Sequence, residues 1–298
     1  MFSEHNSGTP IVQRRATAIL AILLLVSTTV AGYFFLKRSG ITTQTISTFF
    51  GVPTATPTLE RYRDARTGVE LIFIPETDMF PESWIQPPVS GSATAISVDE
   101  IARSLSIVTQ SLNKYPADIF PANLRKIYLV KQLSFFGTYY GGTATAELGG
   151  RIYIVNDGIA RGYHDAGLEW AFHSELSSIL RYNYPQYFDE AAWLAVNPPD
   201  FQYRSSGAEA LKEGTSANVL DQEYLRLGFL HQYATSNVEE DYNAIASHIW
   251  ANIPEFWRAV DSYERIRRKT NLVIQFYSHI HPLFTESYFK SLPVVLPQ

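Results

Sequence analysis

Three observations predict an α+β fold preceded by a transmembrane helix. Short alternating or β-branched runs fall before residue 156, apolar residues at helical spacing dominate after it, and one long uncharged apolar stretch lies near the N-terminus. With 298 residues, 46% hydrophobic and 18% charged, the chain is large and apolar enough for a sizeable core. Its net charge of −5 and scattered Lys and Arg residues provide no basic field, so nucleic acid is not expected as a partner. The absence of cysteine excludes disulfides, thiolate zinc ligands and cysteine nucleophiles. Any metal site has to be built from His, Asp and Glu.

Residues Ala16 to Leu36 carry no charge. At about 1.5 Å per residue they span roughly 30 Å, the thickness of a bilayer's hydrocarbon core. Arg14 and Arg15 precede the stretch, Lys37 and Arg38 follow it, and Tyr33, Phe34 and Phe35 cluster near one end as interfacial anchors. A cleaved signal peptide, cut near Thr29-Val30-Ala31, is the alternative reading. The charge balance across the segment is nearly even. The uncharged, Thr-rich stretch from Ser39 to Thr58, with Pro53 and Pro57, has the composition of a solvated stalk and places the large domain outside. The expected organisation is a cytoplasmic tail (1–15), a membrane anchor (16–36), a stalk (37–60) and an extracytoplasmic domain (61–298).

Within the domain, Gly68 to Pro75 alternates as a first strand and a Pro-rich loop follows. Ser97-Val-Asp-Glu100 reads as a capping box opening a helix to about Leu112, along which Ile101, Leu105 and Val108 share a face. Leu124 to Val130 and Arg151 to Val155 read as neighbouring strands joined through Gly141-Gly142 and Gly149-Gly150. Neither glycine pair is followed by the lysine of a phosphate-binding loop, so both are assigned to turns. Helices are expected over 167–181, 221–227, 237–250 and 254–270. The basic run Arg265, Arg267, Arg268, Lys269 is expected on a solvated face near the last helix's C-terminal end.

The informative segment is Trp170-Ala-Phe-His-Ser-Glu-Leu-Ser-Ser-Ile-Leu180. Zinc peptidases place H-E-x-x-H on such a helix, because histidines four apart share one face and bind one metal while the adjacent Glu activates its water. Here the aligned residues are Ser174-Glu175-Leu176-Ser177-Ser178. Further on, Gly228-Phe-Leu-His-Gln-Tyr-Ala-Thr-Ser-Asn-Val-Glu-Glu-Asp-Tyr-Asn243 resembles the third-ligand region of a family of bacterial zinc-binding metallopeptidases of the gluzincin type. Together with Trp193 and Asn197-Pro198, the resemblance covers roughly residues 125–250. It implies a zincin-like domain in two lobes, a small sheet with a helix followed by a helical lobe, with a cleft between them. It also implies that Glu175 stands at the general base, Ser174 and Ser178 at the positions of two histidine ligands, and Glu239 or Glu240 at the third.

A serine hydroxyl is a poor zinc ligand, and catalytic sites need three good protein ligands. The expectation is therefore a catalytically inactive, metallopeptidase-like protein without a cofactor that binds a peptide or protein segment. Two alternatives stand beside it: a divergent metallohydrolase in which His173, Glu175 and a residue from Glu239, Glu240 or His231 assemble an atypical zinc site, and a structural cell-envelope protein. The individual residues also have plainer readings. Glu175 could be a solvent-exposed helical glutamate, Glu239 the last member of a capping box Ser236-Asn-Val-Glu239, and His173, His231 and His248 packed side chains. A slip of one position turns a helical side chain by about 100°, so His173 does not replace Ser174 as a ligand. If the anchor reading is right, protease shaving of intact cells releases the domain beyond Glu60, and a protected domain overturns the orientation.

Overall fold

The computed structural model describes residues 59–204 and 206–295; the tail, the proposed anchor and all but the last two residues of the stalk lie outside them. Among the described residues no helix is long and apolar enough to cross a membrane. In chain order the strands are β1 (Arg61–Arg63), β2 (Glu70–Ile72), β3 (Ser92–Ala95), β4 (Lys126–Phe135), β5 (Thr138–Tyr139), β6 (Gly142–Thr145) and β7 (Arg151–Val155). The run Arg-Ile-Tyr-Ile-Val of β7 is buried at every position, as a strand covered on both faces should be. It pairs in parallel with β4 and antiparallel with β6. The sheet order β1-β2-β4-β7-β6 leaves β6 at one edge, while β3 and β5 pair with the distal part of β4. The sheet is therefore mixed and the fold α+β.

Alternation sorts the strand residues between two faces. Tyr128 and Tyr153 stack on one face, 5.2 Å apart and nearly coplanar, in a cluster with Met79, Phe80 and Phe135. Ile127, Leu129, Ile152 and Ile154 alternate with them and are fully buried. The helices are α1 (Glu82–Ile85), α2 (Val98–Asn113), α3 (Phe120–Asn123), α4 (Asp165–Asn183), α5 (Glu190–Leu194), α6 (Gly207–Glu213), α7 (Gln222–Leu227), α8 (Val238–Ala251), α9 (Pro254–Ser262), α10 (Glu264–Ile280) and α11 (Glu286–Lys290). Helix α4 packs on β6, β7, α2 and, most extensively, α8.

Several local expectations are corrected. The strand expected over 68–75 shortens to the three residues of β2, whereas β4 runs five residues past Val130. Ser97 is the N-cap of α2, but its side chain makes no capping bond. Glu100 is drawn instead to Arg103 Nε (2.7 Å) and Asn156 Nδ2 (3.0 Å), a charged partner outcompeting a backbone amide. The cap of α8 is Asn237, whose side chain accepts from the Glu240 amide, so Ser236 and Glu239 form no capping box. The helix expected over 254–270 is two helices, interrupted where Tyr263 adopts extended backbone.

Lys269, assigned from sequence to a solvated face, is fully buried. Its Nζ lies 2.6 Å from Asp241 Oδ2, donates to the Gly228 carbonyl, and sits 3.9 Å from the centroid of the Phe229 ring. Trp193 Nε1 (3.1 Å) and Tyr203 Oη (2.7 Å) donate to the same carboxylate oxygen. The segment from Trp193 at the end of α5 to Tyr203 is thereby fastened to the first turn of α8 and to α10. A second buried pair, Lys114–Glu169 (2.6 Å), joins the end of α2 to α4, and Lys114 also donates to the Trp250 carbonyl of α8. Removing one partner of a buried pair strands the other charge. Lys269→Met is therefore expected to cost about 3–5 kcal/mol in urea unfolding, and adding Asp241→Asn should recover most of that loss.

Candidate functional site

Arg103 fixes the start of α4. Its guanidinium donates to Asp165 Oδ1 (2.6 Å), to Asn156 Oδ1 (2.8 Å) and to the Tyr163 carbonyl (2.9 Å), tying α2 and the end of β7 to the helix's first residue. From there the 3.6-residue period carries Ala171, Ser174, Glu175 and Ser178 onto one face, above Phe172, Leu176 and Leu180, which are buried. That face floors a cavity of about 640 Å³. The first turns of α8 form a second wall with Glu239, Glu240 and Asn243, and Gly142, Thr143 and Ala144 of the edge strand β6 form a third. Rings of Tyr140, Trp170 and Tyr233 line it as well.

The cavity continues along β6 in both directions. A space of about 180 Å³ shares Ala144, Ser178 and Glu239 with it and extends to Glu147 and Tyr182. A side pocket of about 230 Å³ shares Tyr140 and Thr143 and is walled by Trp84, Val89, Phe135 and Phe136. The three together form a groove beside an unpaired strand edge.

Two close approaches bring the carboxyls to the walls. A Cβ on Gly142 would lie 3.2 Å from Glu175 Oε1, so the absence of a side chain lets Glu175 rest against β6. A Cβ on Gly207 would lie 2.4 Å from Glu240 Oε1, so a side chain there would displace the Glu240 carboxyl from its present position. Burial, followed by the neighbouring carboxylates of Glu240 and Glu239, pushes the Glu175 carboxyl well above its usual range. Burial also raises Glu240 to about 7, against a 2.8 Å hydrogen bond donated by Tyr233 Oη. Ser178 Oγ accepts from Asn243 Nδ2 at 2.7 Å, and the other amide atom, Oδ1, is buried without a partner.

The sequence-derived candidates divide cleanly. Ser174, Glu175, Ser178, Glu239 and Glu240 converge on one cavity, although the two segments are some sixty residues apart. His173 points away from it, into a buried cluster where its ring stacks on Trp250 and its Nδ1 lies 2.9 Å from Tyr115 Oη. Burial pushes His173 down to about 4, leaving it neutral beside Glu169, whose carboxyl is held below its usual range by His173 and Lys114 despite its own burial. His231 and His248 lie buried together, ring centroids 6.3 Å apart, against Trp170. Among the described residues no three His, Asp or Glu side chains are grouped to hold a metal ion. Sequence reasoning missed Asn243 and Tyr233; the first was reachable, because it lies three and four positions after Glu240 and Glu239 on the same helix face.

Two opposed pH dependences follow. Burial depresses His173, His231 and His248 to about 4, 3 and 4, so their neutral forms support the fold fully above an unfolded value near 6.5, and that support is lost as pH falls below it. His231→Gln should reduce the loss of stability between pH 6.5 and 4.5 by about 1.4 kcal/mol per pH unit. Glu240 acts oppositely: its raised value costs nothing below its ordinary 4.5, and the penalty grows as pH rises through 7. Glu240→Gln should therefore stabilise the protein at pH 8 by on the order of 2–3 kcal/mol and leave it nearly unchanged at pH 4.5, as read from urea melts at both pH values. Comparison of the chain with family models, with curated proteins and with solved structures finds no match.

Proposed function

We propose that the folded part is a zincin-like module, tethered to the cell membrane through Ala16–Leu36 with its domain outside, that has lost zinc catalysis and holds an extended peptide in the groove beside β6. One observation carries this reading: the residues that the resemblance puts at the metal, Ser174, Ser178 and Glu239 or Glu240, line the same groove as Glu175 and the open edge of β6. The hydroxyls at 174 and 178 are weak ligands, and Ser178 is already engaged by Asn243. The strand edge offers unpaired backbone amides and carbonyls, the surface to which an extended chain adds as a further strand. The groove's continuation past both ends of the central cavity suits a ligand several residues long.

Metal analysis and a mutational series test the reading. The full-length chain is expected to retain far less than one equivalent of zinc after dialysis and to leave generic peptides intact; stoichiometric zinc overturns the proposal and favours the divergent metallohydrolase. Ser174→His with Ser178→His should create a zinc site with Glu239 or Glu240. At free zinc a hundredfold above the dissociation constant it should add about 3 kcal/mol of stability, whereas either histidine alone binds weakly. A double variant that folds without any zinc-dependent melting shift would show that α4 is not oriented as in a zinc peptidase.

A further inference from the structure

The walls of the groove are unbalanced in charge and in hydrogen-bonding character. The central cavity presents three carboxyl side chains, Glu175, Glu239 and Glu240, and its extension along β6 adds Glu147. Among the described residues no Lys, Arg or His lines the cavity, its extension or the apolar side pocket. Lys212, with its Nζ 5.7 Å from the centroid of the Phe136 ring, belongs to α6 and is outside the lining. Elsewhere most half-buried and buried carboxylates are ion-paired, Glu76 with Arg61 and Lys126, Asp165 with Arg103, Glu169 with Lys114 and Asp241 with Lys269, while buried Asp64 accepts two hydrogen bonds from Thr67. Glu175, in contrast, is half-buried and has neither a hydrogen bond nor an ion pair among the described residues. Glu240 has one hydrogen bond, and that comes from an uncharged hydroxyl.

A second feature is independent of the carboxyls. Asn243 is 5% exposed and lines the same cavity, yet its Oδ1 has no donor while Nδ2 is taken by Ser178. A buried acceptor left unpaired costs free energy that a ligand's N–H would restore. An unpaired carboxyl at Glu175, a carboxyl with spare acceptor capacity at Glu240 and an orphaned amide oxygen at Asn243 thus surround one space, and each can accept a further hydrogen bond. A side chain that is positively charged and carries several N–H groups matches them in sign and in type. Tyr140, Trp170 and Tyr233 add ring surfaces suited to an alkyl stem or to a cation over a π face.

We propose that the groove is selective for an extended peptide carrying a lysine or arginine, whose charged head enters the central cavity among Glu175, Glu240 and Asn243 while its backbone runs along β6. The inference rests on the peptide-binding reading and names its ligand class. The apolar pocket formed by Trp84, Val89, Phe135 and Phe136, which adjoins the cavity through Tyr140 and Thr143, would receive an apolar side chain next to the cation. Glu239 is exposed at the rim and contributes field more than contact.

Isothermal titration of the full-length chain at pH 8 and low salt tests this with three acetylated and amidated pentapeptides, Val-Thr-X-Thr-Val, in which X is Lys, Gln or Glu. The Lys peptide should bind at least about tenfold more tightly than the Gln peptide, the Glu peptide most weakly, and the preference should shrink as salt is raised. In Glu175→Gln and Glu240→Gln the Lys-over-Gln preference should fall towards unity. Equal binding of the Lys and Gln peptides to the wild-type chain overturns the inference and leaves peptide binding standing. Failure of all three to bind overturns both. Calcium that binds stoichiometrically, competes with the Lys peptide and is lost in both variants would identify the cavity as a metal-cation site and overturn the proposal. The wild-type comparison is decisive even if a variant folds poorly.

Discussion

The groove depends on a charge pair that never touches it. Asp241 follows directly on Glu239 and Glu240 in the first turn of α8, where three acidic side chains in succession complement the helix dipole but repel one another. Asp241 is the one turned inward, and its burial raises its carboxyl against the pull of Lys269, Tyr203 and Trp193. Lys269 supplies the counter-charge from α10, so the start of α8 is pinned at the depth at which Glu239 and Glu240 emerge on the other side. Because α8 turns by about 100° per residue, fixing Asp241 inward also fixes where its two neighbours point. Without the pair, the buried carboxylate would favour water and the helix start would lose its registration against α4.

Helix α4 is held with comparable rigor from its other face. His173, Glu169 and Ser177 lie opposite the groove and meet Lys114, Tyr115 and Tyr277. Ser177 Oγ, bonded to the His173 carbonyl at 2.6 Å and 2.7 Å from Tyr277 Oη, ties α4 to α10. These polar contacts are buried, so each has a narrow tolerance in distance and angle, which an apolar contact would not impose. The orientation that turns Ser174, Glu175 and Ser178 to the groove is thus specified by their sequence neighbours, 169, 173 and 177, one helical face away.

The fold was legible in sequence where the signal is local, and illegible where pairing is remote. The β-branched run of β7 and the apolar spacing of α2 carry their own periodicity. Strand β6, Gly-Thr-Ala-Thr, does not: its small residues have little strand character, and it is a strand because β7 offers it a partner. It nevertheless forms the edge of the groove. No proline or glycine marks the break between α9 and α10 at Tyr263; contacts of Arg267 with Asp261 and Glu286 accompany it across the junction. Lys269 stands among arginines and looks solvated, because its partner lies 28 residues away and no local rule announces it. At the site, residues 174, 175 and 178 line one cavity with 239 and 240, a juxtaposition of segments some sixty residues apart that no local periodicity announces. The removal of His173 to the opposite face followed from helix geometry alone.

Serine at 174 and 178 has a further consequence for the charge state of the groove. In the arrangement that the resemblance implies, a divalent cation would join the helix carrying the glutamate to the helix carrying the third ligand, and would supply positive charge to the carboxylates beside it. In this chain a hydrogen bond from Asn243 to Ser178 makes that helix-to-helix connection directly. It links α4 to α8 but brings no charge. Glu175 and Glu240 therefore lie in a partly desolvated space with no cation among the described lining residues; burial raises both carboxyls, the charges of Glu240 and Glu239 adding to it at Glu175 and that of Glu239 at Glu240. A fold selected only for stability would be expected to relieve such repulsion by neutral substitution, since glutamine fits where glutamate does and keeps the Tyr233 bond. A cationic side chain entering the groove, as proposed, would supply the charge that no described residue lining it provides.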